Sequence, residues 1–211
     1  AVVVVHFRTA IWSLLLGMRK DNAARKYCLK ILIAFSATAM LGYFLMQLQI
    51  LQLMQTSVFS GSMLIITSLI LVSARWAKNA RFQQSEWEIS WKTAILMGLA
   101  QGVSILPGIS RSGATIVTGL WLGSSKQSAS TFSFLLSVPT ILAASVVGIS
   151  TAPPMSRDDV GDVIAGSIIA FIFGYIAIQW LIRWLQNDRI WMFSLYCFPV
   201  GLGSIAIWIW L

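Results

Sequence analysis

Apolar residues occur along this chain in long runs, separated by short polar or charged stretches. Most runs extend for about 18 residues or more, the length an α-helix needs to cross a bilayer. Helices are expected because lipid cannot satisfy the open edge of a sheet. The pattern predicts an all-α integral membrane protein with six transmembrane helices, the first incomplete, at residues 1–17, 31–48, 57–74, 129–149, 163–185 and 191–211.

The first predicted span begins with AVVVVHF, without Met and without a charged leader. It reads as the second half of a spanning helix that ends before Arg19 and Lys20. We therefore expect residues 1–211 to be a single membrane domain that is truncated at its N-terminus.

Composition supports the membrane assignment. The 211 residues are 57% hydrophobic and only 10% charged, with a mean hydropathy of +0.79. A single soluble core of this size could not absorb so much apolar surface. The net charge of +8 does not indicate nucleic-acid binding, because the Lys and Arg residues cluster between spans. That arrangement follows the positive-inside rule and predicts a multi-pass membrane protein, with membrane lipids as its surroundings.

Residues 90–123 form a further apolar stretch, which Pro107, Gly108 and Gly113 interrupt near its middle. Each half has about 12 to 15 residues, too few to cross roughly 30 Å of hydrocarbon at about 1.5 Å per residue. Non-helical backbone at that depth is tolerated only within protein or beside a wet cavity. The stretch therefore predicts a re-entrant helical hairpin with its tip at residues 107–113.

The tip contains Arg111, which is costly inside a membrane. One interpretation is structural, with the arginine bound to backbone carbonyls at the tip. The other is an anion site. Gly108 lets the backbone approach a ligand, and the second half-helix presents unpaired N–H groups and its dipole to an anion. Arg111 can bind phosphate oxygens in a bidentate manner, and Ser110, Ser112 and Thr115 add hydroxyls. This set favours phosphate and makes 90–123 a candidate phosphate-binding hairpin.

AQGVSILPGISRSGATIVTGLWLG, followed by SASTFSFLLSVPTILAAS, resembles the second signature region of the undecaprenyl-diphosphate phosphatase (bacitracin-resistance membrane phosphatase) family. The resemblance extends more weakly over the whole chain. It implies the second half of an inverted-repeat architecture in the bacterial inner membrane. It also implies hydrolysis of a polyprenyl diphosphate to its monophosphate, which recycles the carrier for cell-wall synthesis and confers bacitracin resistance. It also implies catalytic roles for Ser110, Arg111 and Thr115, and phosphate-binding roles for the other signature residues, which are Gln101, Gly108, Ser112 and Gly113.

The same resemblance implies a divalent cation, Mg²⁺ or Ca²⁺, bound by a glutamate-rich hairpin upstream of Ala1. None of the seven carboxylates falls inside a predicted span, and such cations need carboxylate oxygens. We expect no metal ligands in this chain and an inactive fragment when residues 1–211 are expressed alone. The nucleophile stays open between serine, histidine and water.

Two other classes of function fit the pattern. A transporter or flippase for a phosphorylated lipid or anion also uses broken helices, with half-helix N-termini directed at anions. A membrane scaffold without a ligand is the third possibility. The oligomeric state is not readable from the sequence.

Overall fold

The computed structural model describes residues 2–18, 21–47, 56–77, 88–151 and 159–210. These ranges are helical, with no strand among them. The α-helices are α1 (Val2–His6), α2 (Arg8–Gly17), α3 (Asn22–Gln47), α4 (Ser57–Ser73), α5 (Trp91–Val103), α6 (Arg111–Trp121), α7 (Lys126–Thr151), α8 (Asp159–Gln186) and α9 (Ser194–Trp210). Short 3₁₀ turns follow α4, at Ala74–Trp76, and precede α9, at Ile190–Phe193.

Five helices in the described ranges are long and apolar enough to cross a membrane: Asn22–Leu45, Ser57–Trp76, Lys126–Thr151, Val160–Gln186 and Ile190–Trp208. Together α1 and α2 fill the place of the incomplete first span, with a break at Phe7. The prediction of an all-α integral membrane protein is confirmed.

Some predicted boundaries are wrong. Helix α3 begins at Asn22 rather than near residue 31, so most of the predicted basic loop is helical. The Asp21 carboxylate accepts a hydrogen bond from the Ala23 amide at 2.8 Å, and Ala, Lys and Arg favour helix, which extends α3 beyond its apolar part. Helix α8 begins at Asp159, so Asp162 lies in a candidate span, against expectation. Much of the other predicted loops, at 48–55, 78–87 and 152–158, lies outside the described residues.

Glycines allow the closest helix contacts. Gly98 of α5 lies against the backbone of Ala34 in α3, where an added Cβ would lie 2.7 Å from the Ala34 Cα. Gly61 of α4 and Gly201 of α9 face each other, and a Cβ on either would lie 2.7 Å from the carbonyl oxygen of the other. These contacts fix α5 against α3 and α4 against α9.

The basic ends of several helices meet at one end of the molecule. Lys126, at the start of α7, forms an ion pair with Asp188 at 2.6 Å and donates to the Gln186 carbonyl, the last residue of α8, at 3.1 Å. The Arg75 guanidinium lies 4.7 Å from the ring centre of Trp191. The basic segments around these residues therefore share one side, as the positive-inside pattern predicts.

Candidate active site

Helices α5 and α6 form a hairpin. Their 13 and 11 residues correspond to about 20 and 16 Å, too short to cross a bilayer singly. Ser90, at the start of α5, and Gly123, after α6, line the same cavity together with Lys26 and Lys30 of α3. Both ends of the hairpin therefore lie at the basic end of the molecule, as expected for a re-entrant hairpin, and the tip (residues 107–113) points away from it.

The tip lies against α4. Gly108 has a φ of +98°, a conformation that glycine adopts readily and other residues rarely do. An added Cβ would overlap the Ser60 carbonyl oxygen and lie 2.8 Å from the Met63 Cβ. Ser60 lies in the first turn of α4, which begins at Ser57. The tip thus reaches nearly to the end of α4 that lies opposite the basic end.

Ser110 caps α6. Its backbone is extended (φ −71°, ψ 113°), and its hydroxyl oxygen accepts a hydrogen bond from the Gly113 amide at 3.2 Å. Its carbonyl accepts the first helical bond, from Ala114, at 2.8 Å. The hydroxyl hydrogen of Ser110 is not used by this cap. Within the described part of the chain, the amides of Arg111 and Ser112 have no hydrogen-bond partner, so this helix end has donors available for an anion.

The Arg111 side chain is exposed. Across the described ranges, its guanidinium makes no hydrogen bond, ion pair or ring contact. Ser112 beside it is partly exposed. The interpretation in which backbone carbonyls bind the arginine therefore finds no support in this arrangement. Ser110, Arg111 and Ser112 together present hydroxyls and a cation at the N-terminus of α6.

Thr115 is placed differently from this group. Its side chain is fully buried, and its hydroxyl contacts the Ser133 hydroxyl of α7 and the Arg111 carbonyl, the latter at 2.9 Å. A direct bond from Thr115 to phosphate is therefore not available here. The hydroxyl joins α6 to α7 behind the exposed tip.

Gln101 is also away from the exposed surface. It is buried in α5, and its side-chain amide donates to the Thr140 hydroxyl of α7 at 2.7 Å. Its side-chain oxygen is buried without a hydrogen-bond partner in the described part of the protein. The structure thus places Gln101 between α5 and α7, and its role in phosphate binding stays a prediction. Gly113 is buried as well. An added Cβ there would lie 2.9 Å from the Ser110 Oγ and 3.3 Å from the Leu71 Cδ2.

Sequence reasoning missed Thr67. Its hydroxyl lies in α4 and donates to the Gly108 carbonyl at 2.8 Å, while it accepts from the Ser110 amide at 3.1 Å. The available signal was a hydroxyl within the apolar run IITSLILV. Nothing in the sequence indicates that this hydroxyl reaches a tip more than forty residues later.

The described residues do not fit a divalent cation. They contain no group of three or more His, Cys, Asp or Glu side chains that could hold one. The tip itself contributes only hydroxyl, amide and guanidinium groups, whereas Mg²⁺ and Ca²⁺ take oxygen ligands, mainly carboxylates.

Comparison with known proteins identifies relatives over almost the whole chain. The family profile described as "Bacitracin resistance protein BacA" matches residues 1–203. A protein named undecaprenyl-diphosphatase from Christiangramia forsetii is 35% identical, over 96% of this chain and 80% of the relative. One of the same name from Corynebacterium glutamicum is 32% identical over 96% and 71%. Undecaprenyl-diphosphatase 1 from Chromobacterium violaceum is 33% identical over 98% and 76%.

Proposed function

Because the chain belongs to the bacitracin resistance protein BacA family, we propose that it is a membrane phosphatase that hydrolyses undecaprenyl diphosphate to the monophosphate and inorganic phosphate. Overall, water supplies the new oxygen of the released phosphate, the bond between the terminal phosphorus and the bridging oxygen breaks, and the bridging oxygen stays on the lipid monophosphate. The single observation that carries the site assignment is the exposed Arg111 at the open N-terminus of α6. In the cell this reaction recycles the lipid carrier for cell-wall synthesis and counters bacitracin.

Arg111 binds and neutralises the diphosphate in this proposal. A guanidinium presents N–H groups in a planar fork that matches two phosphate oxygens. The free amides of Arg111 and Ser112 and the dipole of α6 add to the attraction at the same point. Phosphoryl transfer spreads negative charge over the transferred group, and donors fixed in advance stabilise that charge.

The serines have distinct roles. The Ser110 oxygen is used as the helix cap, which leaves its hydrogen free to donate to a phosphate oxygen. Ser112, on the first turn of α6, donates beside it. Thr115 acts from behind, because its bonds to Ser133 and to the Arg111 carbonyl fix the first turn of α6 against α7.

The site opens on the side opposite the basic end. The tip contacts Ser60, which lies about one turn from the N-terminal end of α4. Ile105, close to the tip, contacts Gly42 near the C-terminal end of α3. With the basic end in the cytoplasm, the diphosphate is bound at the outer side of the membrane. Its isoprenoid chain then stays in the lipid.

A requirement for Mg²⁺ or Ca²⁺ remains a prediction from the family resemblance. Phosphate release before and after chelation, and after each cation is added back, measures it. Activity that survives thorough chelation would remove the cation from the proposal.

The test of function is phosphate release. The purified full-length protein, in detergent and in liposomes, is given undecaprenyl diphosphate, and inorganic phosphate and the lipid product are both measured. Stoichiometric monophosphate and phosphate support the enzyme. Movement of intact lipid diphosphate across the liposome membrane without phosphate release would instead support a transporter, and neither result would support a scaffold.

A further inference from the structure

One face of α4 contacts the tip of the hairpin from Gly108 to Gly113. Ser60, Met63 and Leu64 lie against Gly108, and Leu71 lies against Gly113. Residues spaced three and four apart lie on one side of a helix, so Thr67, between them, lies on the same side. The face that contacts the tip is therefore formed by Ser60, Met63, Leu64, Thr67 and Leu71.

On this face, the Thr67 hydroxyl forms hydrogen bonds with the tip backbone on both sides of Ile109. It donates to the Gly108 carbonyl at 2.8 Å and accepts from the Ser110 amide at 3.1 Å. The side chain is 2% exposed. A buried hydroxyl that uses both its hydrogen and its oxygen in this way restricts the orientation of the two peptides that flank Ile109.

The orientation of these peptides determines where α6 begins. Ser110 is the cap of α6, and its carbonyl accepts the first helical bond. Rotation of the Ser110 peptide would therefore move the cap hydroxyl, the free amides of the first turn and the Arg111 Cα together. Among the described residues, Thr67 is the α4 side chain that forms hydrogen bonds with this segment, and it binds the Ser110 amide directly.

We infer that Thr67 is a positioning residue for the phosphate site: its hydroxyl fixes the Gly108 and Ser110 peptides so that the N-terminus of α6 and Arg111 are aligned with the reacting phosphate. This inference rests on the proposed function and extends it to a residue outside the signature segment. Thr67 does not contact substrate. It acts through Ser110, whose amide it binds.

The expected effect is on turnover. Thr67→Val keeps the shape of the side chain but removes both hydrogen bonds. A small misplacement of groups that act on the transition state lowers kcat by about tenfold to a hundredfold, while ground-state binding changes less, so KM shifts less than about threefold. Thr67→Ser restores the hydroxyl and most of kcat.

The matched control is Thr118→Val. The Thr118 side chain is partly buried, and its hydroxyl donates to the Ala114 carbonyl of its own helix at 2.8 Å. Its loss should leave kcat and KM within about twofold of wild type, because an intrahelical side-chain bond of this kind adds little to the helix. Thr67→Ala serves as the second hydroxyl-free variant if Thr67→Val does not accumulate as folded protein.

The experiment measures kcat and KM for undecaprenyl diphosphate with the full-length protein, and amide hydrogen exchange at Ser110. Reduced kcat with faster exchange in the hydroxyl-free variants, both recovered in Thr67→Ser, supports the inference. Folded hydroxyl-free variants with wild-type kcat, or a Thr67→Ser variant as impaired as Thr67→Ala, would overturn it. A wild-type protein that releases no phosphate contradicts the proposed function instead, and the exchange at Ser110 then decides the positioning role.

Discussion

Gly108 of the hairpin tip and Ser60 of α4 are in direct backbone contact, with the Gly108 Cα facing the Ser60 carbonyl oxygen. The contact needs a residue without a side chain and with a positive φ, which is +98° here. Two independent restrictions therefore select glycine at this position.

Gly108→Ala should lower both folding stability and hydrolysis. The added methyl group overlaps the Ser60 carbonyl and approaches Met63, and overpacking of this kind costs about 1–3 kcal/mol in addition to the backbone strain. Because the tip carries Arg111, we expect at least a tenfold loss of kcat/KM, about 1.4 kcal/mol in transition-state stabilisation. Thermal unfolding and phosphate release measure the two effects.

Gly123→Ala is the matched control for this change. Gly123 also has a positive φ, of +81°, but an added Cβ meets no atom within 4 Å. It should show a small loss of stability from strain and nearly normal kcat/KM. Equal effects at Gly108 and Gly123 would mean that contact with α4 is irrelevant.

Two substitutions at Ser110 separate its role as the cap of α6 from the charge that it presents to phosphate. Asn and Asp both cap helices about as well as Ser, so Ser110→Asn and Ser110→Asp should both stay within about 0.5 kcal/mol of wild type in unfolding free energy. Ser110→Asp adds a negative charge where phosphate binds. Hydrolysis should therefore persist in part in the Asn variant and be lost in the Asp variant. An Asp variant with more activity than the Asn variant would contradict an anion site here.

Much of this architecture follows from the sequence because it depends on local pattern. The interruption at Pro107 and Gly108 predicts the break between α5 and α6 and a second half-helix that begins close to Arg111, where α6 does begin. The extension of α3 back to Asn22 was missed, since charged residues at a helix end carry no membrane signal. The positions of Thr115 and Gln101 depend on Ser133 and Thr140 of α7. Such contacts are set by tertiary packing, so no spacing in the sequence specifies them.

Labelling can test the side on which the site opens. Single cysteines are placed at Ser112, on the tip, and at Gln127, exposed near the basic end, after Cys28 and Cys197 are replaced by serine. A membrane-impermeant maleimide added to intact cells should modify the cysteine at 112 and spare the one at 127 until the membrane is permeabilised. Labelling in the reverse order would place the site on the cytoplasmic side.

Substitution of Arg111 tests the central claim most directly, with kcat/KM for undecaprenyl diphosphate as the quantity measured on folded full-length protein. Removal of a fixed donor to the transition state costs about 10²- to 10³-fold, so Arg111→Ala should lose at least that much. Arg111→Lys keeps the charge without the planar fork and should recover only a part. Arg183→Ala, which removes an exposed arginine near the end of α8, should remain near wild type. Near-normal hydrolysis by Arg111→Ala would contradict the assignment of the phosphate site to this hairpin.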